Sequence, residues 1–481
     1  MKTLVIESAW ISPHLETAGE ILINLKKQNK KVKFAWVGND LKWNDYSIPS
    51  FLYALGCSPE KRVDKFIKIL KKNNIEIVNY NDQLNKILIE KWSNSFNGNL
   101  NDLKAFKYKK SNLGMGIASS LISLTNNKNF NTNSYKKKIT GFLYSSAMVY
   151  ERTIKILDHE KPNVVITFNN RLGLSLPIIQ ACKKKNVKII RHDRGSNFKK
   201  FHLYDYDIND PRNLKNIYSD WKKNKNKNKN KIAKNFFKKK FNSTFLDEMN
   251  KNFTKNQIKN SKPITPKGKK IITFFCSTEY EIEAYLNLKF NQMKAFKKFF
   301  SEVKKIKNFH LIIRVHPSLS GREDHIWKKF QSKNVTLVKA TSSYDSYEIM
   351  KKSDIVCAYT SKIVIESAYL GIPTICLKDF GWPKGLGILY GENKTKISFN
   401  LKKCLNKKIK FNLDKIFSVS YFYSTYGINY KYYNPISIRK GKFLNESLEW
   451  KSRIVIFFEY LGLKRLYAFL KKLNFHSYEI K

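Results

Sequence analysis

Two stretches of the sequence set phosphate-binding residue types at the ends of apolar runs. In the first, 309–315 (FHLIIRV) reads as a strand, so Arg314, His316 and Pro317 fall at its carboxyl end. An arginine presents a fixed fork of donors that suits phosphate, and a histidine can donate to a phosphate or a base. Pro317 stops the strand and fixes how His316 is presented. In the second, about forty residues on, 354–359 (DIVCAY) reads as a strand followed by Thr360 and Ser361, and 362–370 (KIVIESAYL) reads as a helix ended by Gly371 and Pro373. Thr360 or Ser361 is the expected N-cap, and the amides and hydroxyls of such a first turn form an anion site. Glu366, more than a turn inside, can accept from ribose hydroxyls. Each feature has a plainer alternative: a structural turn, an ordinary cap, a solvated helix face.

The elements around these residues alternate. At the N-terminus, 3–7 reads as a strand, 8–15 as a loop holding His14, 16–29 as a helix with Ile21, Leu22 and Leu25 at helical spacing, and 32–37 as a second strand. This βαβ unit implies a parallel sheet. The alternation continues through 60–72 and 75–78, breaks for a polar, helical insertion at about 93–138, and resumes with a strand at 162–168, a helix at 172–184 and a strand at 187–190. The tract 221–231 (WKKNKNKNKNK) is low in complexity and reads as a solvated loop or fraying helix. After the Pro, Gly and Lys of 262–270 a second α/β series opens at 271–276 and runs through strands at 309–315, 335–338, 354–359 and 373–377. The expected organisation is an N-terminal Rossmann-like domain over 1–262 with insertions at about 93–138 and 205–260, a C-terminal Rossmann-like domain over 263–430, and an amphipathic helical tail over 431–481. Two such sheets predict a cleft between them, where ligands meet the carboxyl ends of parallel strands. The glycine-rich 381–387 (GWPKGLG) lacks the strand-to-helix order of a phosphate-binding GxGxxG and reads as a loop at that cleft.

With 481 residues the chain exceeds the roughly 250 to 300 at which single cores stop growing. Its 42% hydrophobic and 14% aromatic content is ample for two cores and excludes general disorder. The formal net charge is +53. The excess is mostly lysine, spread along the whole chain and accompanied by Asn and Ile, as codon bias towards AAA and AAT would write it. Attraction to an anionic membrane face is the second reading, and nucleic acid the third. Six widely spaced cysteines (Cys57, Cys182, Cys276, Cys357, Cys376, Cys404) with no CxxC pair suit a reducing compartment without disulfides or zinc. The opening MKTLVIES is strand-like rather than a leader, and no apolar run reaches roughly 18 residues, so a cytoplasmic protein, soluble or peripheral to the membrane, is expected. The basic, aromatic segment 449–475 is read as a terminal helix packing back across the domains, with an interfacial membrane helix as the alternative.

The stretch 312–377, with RVHP and then SYDSYEIMKKSDIVCAYTSKIVIESAYLGIPTICL, resembles the C-terminal domain of bacterial GT-B glycosyltransferases that carry an HP motif in capsule, lipopolysaccharide and teichoic acid assembly. These include Kdo and sialic acid transferases using CMP-sugars, and CDP-glycerol glycerophosphotransferases. The resemblance covers about 110 residues, 271–377, and is looser over the N-terminal half. It implies the GT-B fold, nucleotide contacts at His316, Thr360 and Ser361, and no required metal or other cofactor. It also implies a nucleotide-sugar donor and a saccharide or lipid-linked acceptor. Many GT-B enzymes place a catalytic histidine where His14 stands, with Glu7 and Glu16 near enough to orient it. The segment 190–206 (IRHDRGSNFKKFHLYDY) resembles the HERG-like stretch of capsule-assembly proteins, with Asp193 in place of its glutamate. Gly195 permits a tight turn there, and His192, Asp193 and Arg194 then face the cleft, so Asp193 competes with His14 as general base. The implied reaction is a single displacement of a nucleotide. Its rivals are a nucleotide-sugar epimerase of the same fold and a non-catalytic basic protein that binds membrane or nucleic acid.

Overall fold

The computed structural model of the chain describes residues 2–43, 59–125, 127–206, 214, 216–242, 256–279, 291–319, 323–379, 381–382, 384–438 and 440–448. Segment 449–475 and Cys57 lie outside the described residues. The chain is α/β and forms two compact units, one holding the described residues up to 206 together with 427–448, the other those from 214 to 426.

The first unit is built on β1 (Thr3–Glu7), β2 (Val32–Trp36), β3 (Glu76–Ile77), β4 (Val164–Phe168), β5 (Lys188–Arg194) and β6 (Lys200–Tyr204). They lie in the order β3-β2-β1-β4-β5-β6, parallel as far as β5, with β6 antiparallel and the short strand Ile428–Asn429 added beyond it. Every residue of β1 and β4 is buried, which is why these runs are apolar throughout rather than alternating. Helices α1 (His14–Lys27), α2 (Pro59–Lys72), α3 (Lys136–Glu160) and α4 (Leu176–Lys184) contribute to the cores on either side. The stretch read as a polar insertion is helical in large part but also holds a two-stranded hairpin, Lys107–Tyr108 with Ser111–Asn112, and it sends Tyr108 and Leu113 into the core.

The second unit is built on β7 (Lys270–Phe275), β8 (Phe309–Arg314), β9 (Val335–Val338), β10 (Ile355–Ala358), β11 (Thr374–Cys376) and β12 (Ile388–Tyr390). All six are parallel in the order β9-β8-β7-β10-β11-β12. In both units the chain winds outward from the first strand to the third and then restarts on the other side of the first. This is the doubly wound, Rossmann-like plan, and it leaves a crevice at the carboxyl ends of β1 and β4 in one unit and of β7 and β10 in the other.

Two segments fold differently from their expected places. Helices α5 (Ile217–Lys223) and α6 (Lys229–Phe241) fall in the expected insertion of the N-terminal domain but belong to the second unit, packed on α7 (Leu413–Thr425). Trp221, in the low-complexity tract, is buried there and its indole N–H donates to Asp414 Oδ1 at 2.9 Å. The described start of the expected helical tail is an antiparallel sheet of Tyr433–Ser437, Lys440–Phe443 and Glu446–Ser447 in the first unit. Phe443, Tyr433 and Leu448 enter the core beside α1. Gly19 permits the approach, since a Cβ there would lie 2.5 Å from the Phe443 ring. The buried Glu20 carboxylate accepts from the backbone N–H groups of Lys431, Tyr432 and Tyr433 at 2.7–2.9 Å.

Candidate functional site

In the first unit β1 ends on Glu7, whose side chain crosses the crevice. Its Oε1 accepts from the Phe168 N–H at 2.9 Å and lies 2.6 Å from His192 Nε2. Both partners are buried, and Glu7 Oε2 and His192 Nδ1 have no hydrogen-bond partner among the described residues. Burial raises the Glu7 carboxyl above its ordinary range, against the pull of His192 and of the backbone donors. Glu7 and His192 therefore tie β1, β4 and β5 together at their carboxyl ends.

One residue further along β5, Asp193 points the other way and is half-buried. Its Oδ2 accepts from the Asn169 side-chain amide at 2.9 Å and its Oδ1 from the Arg194 backbone N–H at 2.7 Å. Asn169 follows β4 in the left-handed region at φ 43°, a conformation that asparagine tolerates. Its own N–H donates to the His192 carbonyl at 3.1 Å, and its side-chain oxygen accepts from the Asn170 and Arg171 N–H groups. Across the antiparallel pair Asp193 faces His202, whose proton affinity is lowered by burial and raised in part by Asp193.

His14 is the first residue of α1 rather than a loop residue. It is buried, with its ring centroid 3.7 Å from that of Phe168. Glu16, expected to orient it, instead pairs with Arg62 Nη2 and accepts from Ser12 Oγ at 2.5 Å. The next turn of α1 is held by Thr17, whose hydroxyl lies 2.7 Å from Tyr430 Oη. Of the residues singled out in this half, the fold thus joins Glu7 to His192 directly, reaches His14 through Phe168, holds Asp193 with Asn169, and commits Glu16 elsewhere.

In the second unit β8 ends on Arg314, which is not displayed to ligand. It is 1% exposed, with Nε donating to Ser346 Oγ at 3.1 Å and Nη1 to the Lys339 carbonyl at 2.5 Å. Nη2 has no partner among the described residues. Burial lowers its pKa to about 10, still well above neutrality. His316, two residues on, is half-buried. Its Nδ1 accepts from the Ser318 backbone N–H at 3.2 Å and lies 2.6 Å from Ser318 Oγ. A backbone N–H can only donate, so in the neutral ring the proton sits on Nε2. Burial, with Arg314 and Lys240 nearby, pushes the pKa down to about 4. His316 at neutral pH is therefore an uncharged Nε2–H donor and not a cation. Pro317 opens a short 3-10 turn, Pro317–Leu319.

At the crevice between β7 and β10, Ser277 and Thr360 clasp each other. The Ser277 hydroxyl donates to the Thr360 carbonyl and accepts from the Thr360 N–H at 3.1 Å. The Ser277 N–H donates to Gln292 Oε1 at 2.6 Å, and the Gln292 N–H to Glu279 Oε1 at 2.8 Å. The helix Ile363–Tyr369 starts one residue later than expected, with Lys362 as its N-cap. Neither Thr360 nor Ser361 caps it, although the Ser361 hydroxyl accepts from the Ile363 N–H at a long 3.4 Å. Glu366 on that helix is buried and forms an ion pair with Lys240 of α6 at 3.2 Å, instead of lying open to a ribose. Beside it the Tyr347 hydroxyl is pushed well above its ordinary range, by burial first and by Glu366 second.

Sequence reasoning passed over Asn169, Ser277, Glu279, Gln292 and Lys240. Asn169 and Ser277 directly follow apolar runs, 162–168 and 271–276, so the strand-end logic applied to His316 reaches them too. Lys240 is one of ten lysines within 222–240 and carries no local signal. In the loop 381–387, Gly381, Gly385 and Gly387 all have φ between 80° and 84°, which explains the glycines without any phosphate. Among the described residues no group of three or more His, Cys, Asp or Glu side chains is placed to hold a metal ion, and no helix is long and apolar enough to cross a membrane.

No protein-family model and no curated protein matches the chain. Among solved structures it is similar to the UDP-GlcNAc 2-epimerase of Methanocaldococcus jannaschii in complex with UDP-GlcNAc and UDP, at 14% identity and a TM-score of 0.29, covering 87% of this chain and 98% of that one. It is also similar to the β-Kdo 2,4 transferase KpsC of Thermosulfurimonas dismutans, at 13% identity and a TM-score of 0.35, over 54% of this chain and 80% of that one. The UDP-GlcNAc 2-epimerase of Neisseria meningitidis bound to UDP-GlcNAc is 12% identical with a TM-score of 0.31, over 88% and 97% of the two chains. Likeness at this level does not carry an activity from one protein to another.

Proposed function

We propose that this protein is a GT-B-type glycosyltransferase that moves a sugar or polyol phosphate from a CMP- or CDP-linked donor to a hydroxyl of a surface saccharide or lipid-linked acceptor. The observation that carries the reading is His316, a neutral Nε2–H donor just past β8, on the ligand-facing edge of a doubly wound sheet and next to the strand that borders the crevice. Thr360 and Ser361 follow β10 across that crevice and would meet the nucleotide from the other side.

In this reading the acceptor oxygen attacks the donor carbon or phosphorus, the bond to the nucleotide's phosphate oxygen breaks, and the electron pair leaves on that oxygen. His316 donates to the phosphate from Nε2, and a general base takes the acceptor proton. Asp193 is the preferred base. It is half-buried, and its carboxylate is held by Asn169, whereas His14 is buried against Phe168. The chemistry needs no metal where positioned donors and a cation supply the electrostatics.

Product analysis with CMP- and CDP-linked donors and saccharide acceptors tests the assignment. Asp193→Asn is expected to keep nucleotide affinity and lose roughly 100-fold or more in turnover. Normal turnover in that variant would move the base to His14. Conversion of a donor to its epimer without an acceptor would replace the transferase reading by the epimerase one.

A further inference from the structure

Among the described residues, neither Arg314 nor His316 offers a phosphate-facing cation at the carboxyl end of β8. Arg314 is buried and bonded to Lys339 and Ser346, and His316 is a neutral donor. A nucleotide phosphate bound there still needs positive charge. A candidate comes from α6, a helix that the sequence places far from RVHP. Its penultimate residue, Lys240, reaches Glu366 at 3.2 Å, and its charge is close enough to His316 to disfavour protonation of the ring. The two partners are unequally buried: the Glu366 side chain is 4% exposed and that of Lys240 18%. Glu366 is fixed in the protein, and the ammonium stands at the boundary between that carboxylate and solvent.

We propose that Lys240 is the phosphate-binding cation of the nucleotide site, held in place by Glu366. The proposal rests on the donor-site reading above and names the residue that reading lacks. The ion pair accounts for both halves of the arrangement. An unpaired buried carboxylate is costly, so Glu366 keeps the lysine from swinging into water. The phosphate then accepts from an ammonium whose position is already fixed, which saves the ordering cost of a long flexible side chain.

The test is calorimetry on the full chain with CMP, CDP, UDP and GDP, their parent nucleosides, and inorganic pyrophosphate. Lys240→Gln is expected to weaken the nucleotide that binds wild type by roughly tenfold or more while leaving its nucleoside unchanged, and to flatten the salt dependence. Lys240→Arg should restore most of the affinity. Lys240→Gln alone leaves Glu366 buried without a cation, so Lys240→Gln/Glu366→Gln is measured beside it, with Glu366→Gln as control. The double variant should fold and show the same phosphate-specific loss. Unchanged nucleotide affinity in the folded double variant overturns the role of Lys240 while the donor site stands. If no nucleotide binds wild type, the donor site itself falls and this proposal with it.

Discussion

His316 gains its proton only near pH 4 in the folded chain, against 6.5 for an ordinary histidine, because protonation would charge a half-buried ring beside Arg314 and Lys240. It would also remove the acceptor that holds the Ser318 N–H. Above about pH 6.5 neither folded nor unfolded chain is protonated at this position. Between that pH and 4 the unfolded chain holds more protons, so stability falls as pH falls, and below 4 the loss is complete. In urea titrations at a series of pH values, His316→Gln should show a shallower loss over this window than wild type. A parallel decline in both would place the acid sensitivity in other groups. The position of His316 was legible because an apolar run and a proline announce a strand end. The partners of Arg314 were not, since Lys339 follows the far end of β9 and Ser346 opens the helix Ser346–Lys351 beyond it. A residue type that suits phosphate says nothing about which way the side chain turns.

At the scale of elements, continuous apolar runs bounded by Gly, Pro and Asn identified most of the strands of both sheets, because parallel strands covered on both faces must read that way. What local pattern could not show was which helix each unit claims. Helix α6 is lysine-rich on its open side, and its burial of Ala233 and Phe237 depends on α7, nearly two hundred residues later. Likewise Gly19 and Glu20 look like a weak point and a solvated position of α1, yet they hold the antiparallel sheet of 433–447 onto the first unit. Glu20→Ala would leave three backbone N–H groups without their acceptor, each worth about 1 kcal/mol or more when buried. The expected outcome is a loss of roughly 3 kcal/mol in equilibrium denaturation, with faster amide exchange confined at first to 430–448. A loss below about 1 kcal/mol would mean that water replaces the carboxylate there.

On the scale of the whole molecule, the chain makes its first unit from both ends of the described sequence and its second from the middle. The boundary expected near residue 430 therefore separates parts of one core, and the one near 262 cuts the second unit between α6 and β7. Alternation of strands and helices revealed two Rossmann-like halves, but the allotment of 217–241 and 427–448 is set by contacts that no local window contains. The net charge of +53 is a property of the entire surface and selects no partner by itself. The specific claim is a nucleotide site on the second unit around His316. Calorimetric titration of CMP, CDP, UDP and GDP into wild type and His316→Ala tests it most directly. The account predicts that at least one of these nucleotides binds wild type, and that His316→Ala weakens it roughly tenfold or more while leaving the unliganded melting temperature within a few degrees. No binding by wild type, or equal affinity in the two proteins, would contradict it.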